Sequence, residues 1–332
     1  MTQGNKVQYG VIGVGRVFHS VHAPGLQKGE QSNLKAVFDI NQKSAKEAAE
    51  KYGCEAKESL AALLQDPVLD VITLCTPHDT HKDLILQVLN SGKYCLCEKP
   101  ICLTEEEARE IARHPNQDKL FCVYQNRFNP AVRFVTELVG NGELGKIRLC
   151  SVALRWWRGD DYFSDWHGEM KRVGGMLFNQ ASHILDIMRL VCGEAETVSA
   201  VSKTFRSVTD VDDVCVANVA FKNGIIGNVE VSTYVRPKDW EVSMLLVGDK
   251  GVVKIGGLSV NEVEYADIEG KDMSGAKEKY SEEIPHGYGN SHPRVFEALN
   301  HYVLKGELHP CLVTGKEASE TSRFITKFYK TI

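Results

Sequence analysis

Short apolar runs alternate with amphipathic stretches through the first third of the chain. Residues 8–12, 34–38, 70–75, 94–97 and 120–124 are β-prone and bounded by glycine, proline or polar residues, which predicts buried strands. Between them, 44–52, 59–64 and 80–91 carry apolar residues at helical spacing, and a helical pattern also follows the first strand through Leu26. Thr104-Glu105-Glu106-Glu107 has the form of a capping box and predicts a helix through Arg113. Strand and helix in repeated alternation predict a doubly wound parallel sheet, an α/β domain over residues 1–124.

Beyond Tyr124 the pattern changes. Asn129-Pro130 reads as an N-cap followed by proline in the first turn, opening a helix to Val139. Strands are then predicted at 147–156, 197–204, 214–221, 225–234, 241–248 and 251–255, joined by turns such as Lys222-Asn223-Gly224 and Gly248-Asp249-Lys250-Gly251. Hairpin connections imply a mostly antiparallel sheet. Helices at 180–190, 291–305 and 316–329 complete a second, α+β domain over 125–332.

Composition narrows the function. The chain has 332 residues, 43% hydrophobic and 25% charged, as in ordinary globular proteins, and its length favours two domains. A net charge of -5 gives no basic footprint, so nucleic acid is not an expected partner. No apolar run reaches the length of a membrane span. Met1-Thr2-Gln3-Gly4-Asn5-Lys6 leads towards a strand without a signal-peptide core, so a cytoplasmic protein is expected. The ten cysteines form no C-x-x-C pair; they read as reduced core residues, and no metal is expected.

Candidate chemistry gathers at strand ends. Gly13-Val14-Gly15-Arg16-Val17-Phe18 follows a strand and opens a helix, the context of a dinucleotide fingerprint. Gly13 permits the tight turn, and Gly15 lets the backbone approach a pyrophosphate; Phe18 stands where a third glycine is usual. Asp39 ends the second strand, where an acid accepts hydrogen bonds from ribose hydroxyls; its charge selects NAD over NADP. Thr76-Pro77 ends the next strand, with His78 and His81 at the rim as cofactor neighbours or as polar residues of a helix start. After 94–97 come Glu98, Lys99 and Pro100, and proline sets the direction in which Lys99 points.

In the second half, His183 follows Asn179 by four residues, placing both on one face if the stretch is helical. Asp186, a turn further on, either orients His183 or lies on a solvated face. The loop from Arg155 to Phe163 is aromatic and basic, suited to stacking a sugar or base and holding an anion, or to domain packing.

With these residues in place, the chain resembles the glucose-fructose oxidoreductase / inositol dehydrogenase / MocA family over nearly its whole length. The resemblance rests on Gly13-Val14-Gly15-Arg16, Asp39, Thr76-Pro77 with His81, Gly92-Lys93, Glu98-Lys99-Pro100 and Asn179-Gln180-Ala181-Ser182-His183. It implies an N-terminal Rossmann domain, a C-terminal α+β domain whose open sheet forms subunit contacts, and a homodimer or homotetramer. It also implies hydride transfer between NAD and a sugar or polyol hydroxyl. The cofactor-binding residues it implies are Gly13, Gly15, Arg16, Val17, Phe18, Asp39, Thr76, Pro77, His81, Glu98 and Lys99.

Lys99 and His183 are the expected catalytic pair, either of them the proton acceptor. Asp165-Trp166-His167-Gly168, Gly174 to Gln180 and His183-Ile184-Leu185-Asp186 resemble the UDP-N-acetyl-2-amino-2-deoxyglucuronate dehydrogenases, which oxidise C3 of a nucleotide-linked uronic acid in polysaccharide biosynthesis; His167 and Met170 depart from that subgroup. Asn179, Arg158, Trp166, Lys171 and Asp186 are then the expected substrate contacts, with Arg155 and Arg172 as further cations. An inositol or free-sugar dehydrogenase and a non-catalytic dinucleotide-sensing regulator on the same fold are the alternatives.

Overall fold

The structure, a computed structural model, describes residues 6–332; residues 1–5, read above for their lack of a signal sequence, lie outside the described residues. The chain forms two compact units. One runs through Gln125 and takes back Ser291–Glu320; the other comprises Asn126–Asn290 and Thr321–Ile332.

The first unit is built on a seven-stranded sheet. Strands β1 (Val7–Ile12), β2 (Ser32–Phe38), β3 (Glu55–Ala56), β4 (Val71–Leu74), β5 (Tyr94–Cys97) and β6 (Leu120–Cys122) run parallel in the order β6-β5-β4-β1-β2-β3. Val313–Thr314 adds an antiparallel edge beside β6. All four residues of β4 are buried, because helices on both faces leave a central strand no polar side. Thr104 and Glu107 form the expected reciprocal capping box, worth about 1 kcal/mol at the cap.

The order reverses where β1 lies between β2 and β4, and such a switch point is where open α/β sheets bind ligands. The strand expected at 120–124 stops at Cys122, and the edge strands Glu55–Ala56 and Val313–Thr314 carry no periodic signal. The segment after Ser291 joins this unit through helix His292–Lys305. There Phe296 packs edge-on against Tyr9, and Asn300 accepts the Tyr9 hydroxyl hydrogen at 2.7 Å.

The second unit carries β7 (Ile147–Arg155), β8 (Ala195–Lys203), β9 (Val214–Phe221), β10 (Ile226–Ser232), β11 (Glu241–Gly248), β12 (Gly251–Gly256) and β13 (Glu262–Ile268). Their order is β13-β12-β11-β7-β10-β9-β8, antiparallel throughout except β7 beside β10. The strand β13 was not expected from its mixed polar pattern.

One face of this sheet buries Cys150, Val152, Leu154, Val229 and Val231, and helix Ser182–Cys192 buries Ile184, Leu185, Ile187 and Met188. A Cβ on Gly227 would stand 2.5 Å from the Met188 methyl, so glycine here permits close packing. The opposite face leaves Val201, Val216, Ile226 and Tyr265 exposed. Helix Pro130–Gly140 starts where expected, but the Asn129 amide donates to the Ser259 carbonyl at 2.7 Å rather than capping the helix.

Candidate active site

In the first unit the glycine turn is built by steric exclusion. Gly13 has φ +89°, its N–H donates to the Phe38 carbonyl at 2.9 Å, and a Cβ there would lie 2.7 Å from the Cys75 carbonyl oxygen. Gly15 has no atom within 4 Å of the position a Cβ would take, so the space above the turn is open. Arg16 and Val17 begin the helix there, its positive end, with N–H groups suited to an anion.

Phe18 is fully buried and packs edge-on to Tyr52 at 5.4 Å, opening a π-helical turn over Phe18–His22. Its side chain therefore serves packing, and only its backbone remains for a ligand.

Asp39 ties this turn to the end of β2. Its Oδ2 accepts from the Val14 N–H at 2.9 Å and its Oδ1 from the Asn41 N–H at 2.8 Å. Beside it Ile40 is 94% exposed, an apolar surface that suits a flat adenine. Lys43 is directed at Glu47, 3.8 Å away. Open space over Gly15, an acid at the ribose position and an exposed apolar side chain fit NAD.

At the ends of β4 and β5 the side chains brace one another. His81 is fully buried; its Nδ1 lies 2.6 Å from the Pro100 carbonyl and its Nε2 2.9 Å from that of Thr76. Burial pulls its pKa down, against the pull of both carbonyls and Glu98. His81 is thus a brace between two strand ends beneath Thr76 and Pro77, rather than a residue of the open rim.

Glu98 is also buried. Its Oε1 lies 2.6 Å from His22 Nε2, and its Oε2 accepts the Lys99 N–H at 3.3 Å. Burial alone would push this carboxyl up; the hydrogen bond and charge of His22, with His292 and Lys99, bring it to about 2. Lys99 follows, half-buried. His22 was not anticipated: no spacing rule connects it to a strand end 76 residues later.

In the second unit, Tyr162 is the centre of a polar lattice. Its phenolic oxygen accepts from Asn179 Nδ2 at 3.0 Å and Gln180 Nε2 at 2.8 Å, leaving its own hydrogen to give. Gln180 Oε1 accepts from Arg158 at 3.1 Å, and Asp239 holds the same guanidinium at 3.0 Å. Trp156 lies under Arg158, and His167 stacks on Trp166 and leans on Tyr162. Beyond Asp239 an open cavity of about 520 Å³ is lined by Arg236, Pro237, Lys238, Asp239, Trp240 and Leu258. Tyr162 and Asp239 were missed, although Tyr162 stands in the aromatic–basic loop singled out above.

Other expected contacts fall elsewhere. Asn179 ends the short helix Met176–Asn179, and His183 belongs to the next helix, Ser182–Cys192, so no single helix sets them on one face. His183 is half-buried near that helix's N-terminus. Asp186 neither orients His183 nor lies on a solvated face. It is fully buried, held by Arg127 at 2.7 and 2.8 Å and by the Thr321 hydroxyl at 2.7 Å. Burial raises its carboxyl, but Arg127, with Arg189 and the Thr321 hydroxyl, outweighs this and holds it below the usual range. Arg155 is bound between Glu230 and Glu241 and is not a spare cation. Lys171 is exposed, and Arg172 lies 3.7 Å from Glu169.

A doubly wound sheet whose switch point fits NAD, followed by an α+β unit with a polar, aromatic lattice, defines a nicotinamide-dependent oxidoreductase of two-domain construction. Residues 7–125 match the model of the oxidoreductase family with an NAD-binding Rossmann fold, and residues 132–254 match the GFO/IDH/MocA C-terminal domain. The inositol 2-dehydrogenase of Rhizobium meliloti is 29% identical over 274 residues, 80% of each chain. The myo-inositol 2-dehydrogenase of Thermotoga maritima is 28% identical, over 68% of each chain. The WlbA dehydrogenase of Bordetella pertussis, solved with NADH and UDP-GlcNAcA, superposes with a TM-score of 0.92 at 26% identity, covering 100% of this chain and 96% of that one.

The chain belongs to the glucose-fructose oxidoreductase / inositol dehydrogenase / MocA family. It is an NAD-dependent oxidoreductase of sugars or polyols. No helix among the described residues is long and apolar enough to cross a membrane.

Proposed function

We propose that this enzyme oxidises C3 of a UDP-linked N-acetylhexosaminuronate. The observation that carries the reading is the likeness, over the whole chain, to a dehydrogenase solved with NADH and UDP-GlcNAcA. The residues of the second unit support it. Arg236 and Lys238 are cations beside Trp157 and Trp240, and Arg158, already joined to Asp239, lies over Trp156; the combination suits phosphate or carboxylate and a stacked base. A neutral polyol has no use for such charge.

The bound nicotinamide accepts the hydride. Lys99, at the end of β5, takes the proton of the reacting hydroxyl, and His183 is the second proton-transferring group. Asn179 and Tyr162 hold sugar hydroxyls, Tyr162 through the hydrogen its lattice leaves free. The exposed apolar face of the second sheet, with Val201 at 76% exposure, supports a homodimer or homotetramer.

A panel of UDP-sugars, their uronates, free sugars and inositols, followed by nicotinamide absorbance with a 2-oxo acid present, tests the substrate. Turnover of a UDP-hexosaminuronate is expected; oxidation of inositol or glucose with no response to any nucleotide sugar overturns it. The inositol reading is the second one, favoured by the names of the sequence relatives. Lys99→Ala is expected to lose about 10²–10⁴-fold in hydride transfer with NADH affinity kept. Wild-type transfer in that variant removes Lys99 from the chemistry, and the regulator reading gains if no panel member turns over.

A further inference from the structure

Glu98 is a buried carboxylate whose charge several ionisable side chains feel. His22, on the helix after the glycine turn, hydrogen-bonds it, while His292 on helix His292–Lys305 and His81 on helix His81–Asn90 interact with its charge. Lys99 follows it in the chain, and the buried thiols of Cys75 and Cys97 feel its charge.

Among these, His22 has a distinct geometry. It is 0% exposed, so neither substrate nor cofactor touches its ring. Its Nε2 faces Glu98 Oε1 at 2.6 Å, while its Nδ1 is buried with no hydrogen-bond partner. A carboxylate only accepts, so the ring carries its hydrogen on Nε2 and spends it on Glu98. The other oxygen of Glu98 accepts the backbone N–H of Lys99. A continuous line of hydrogen bonds thus runs from His22 through Glu98 to Lys99.

We propose that His22 is a positioning residue for Lys99, acting through Glu98. It fixes the carboxylate that holds the lysine's backbone, and its N–H disperses carboxylate charge that would otherwise fall on the neighbouring ammonium. The proposal rests on the reading that Lys99 takes the hydroxyl proton. An ammonium beside an undivided carboxylate keeps its proton to higher pH, because opposite charge favours the charged form. A lysine base works only when neutral, so hydride transfer rises with pH through the lysine's pKa.

The test uses His22→Ala, His22→Asn, whose amide is too short to reach Glu98, and His22→Gln, whose amide nitrogen reaches about as far as the imidazole Nε2. Single-turnover hydride transfer is measured against pH with UDP-GlcNAcA or myo-inositol, whichever the panel shows to be oxidised. NADH affinity is read by fluorescence and folding by thermal melting. In the Ala and Asn variants the acid limb is expected to move up by about one pH unit. The rate at pH 7 then falls about tenfold and recovers at alkaline pH, with NADH affinity unchanged. His22→Gln restores the wild-type limb.

An unmoved limb in folded His22→Asn overturns the proposal, whatever happens to the rate, as does a Gln variant that behaves like Asn. If His22→Ala does not fold, the Asn–Gln comparison decides alone. Lys99→Ala is run in parallel: persistent transfer there sinks the reading of Lys99 itself, whereas a dead Lys99→Ala with an unmoved His22 limb sinks only this inference.

Discussion

Replacing Glu98 by glutamine removes a buried charge while keeping the side chain's shape. The folded carboxyl sits at about 2 against an ordinary value of 4.5, some 2.5 pH units lower, and each unit is worth about 1.4 kcal/mol. The ionised carboxylate therefore stabilises the fold by about 3 kcal/mol at neutral pH. Solvent screening reduces this little, because the side chain is only 11% exposed.

Since the folded value is depressed, that stability is complete above pH 4.5 and is lost as pH falls from 4.5 towards 2. Urea unfolding of wild type and Glu98→Gln should show a deficit of about 3 kcal/mol at pH 7, shrinking by about 1 kcal/mol by pH 3.5. A deficit below about 1 kcal/mol at pH 7, or one that stays constant as the solution is acidified, would refute the reasoning. Either result would mean that His22, His292 and Lys99 do not compensate the burial of this carboxylate.

Three further outcomes follow from named contacts. Wild type should prefer NAD, and Asp39→Ser should narrow the gap by raising kcat/KM for NADP; a wild-type preference for NADP would mean that Asp39 does not meet the ribose. Arg127→Ala strands the buried Asp186 charge and should cost about 3–5 kcal/mol in denaturant unfolding, whereas an effect below about 1 kcal/mol would show that water reaches the site. Arg158→Ala should raise KM for an anionic substrate more than it changes NADH affinity; if neither moves, the guanidinium serves only to join Asp239 to Gln180.

The first unit was legible because its signals are local. A strand buried on both faces is a continuous apolar run whatever surrounds it, so β5 appeared at its true residues. The capping box at Thr104 is complete within four residues. The positive φ of Gly13 is a demand local to its turn, and Asp39 directly follows β2. Two-residue edge strands such as Glu55–Ala56 have no period to read, and β13 mixes polar and apolar residues because it lies at a sheet edge.

What only the tertiary structure decided concerns the partners of buried charge. Asp186 looks like a neighbour of His183 on a helix, yet folding carries Arg127 and Thr321 to it from distant parts of the chain. Arg155 is consumed by Glu230 and Glu241, which flank it only because β7 lies between β10 and β11. His22 and Glu98 meet across 76 residues. A charged side chain is free to bind a ligand only if the fold has not already neutralised it. Desolvation makes that neutralisation obligatory in the interior, and sequence spacing carries no record of which distant group supplies it.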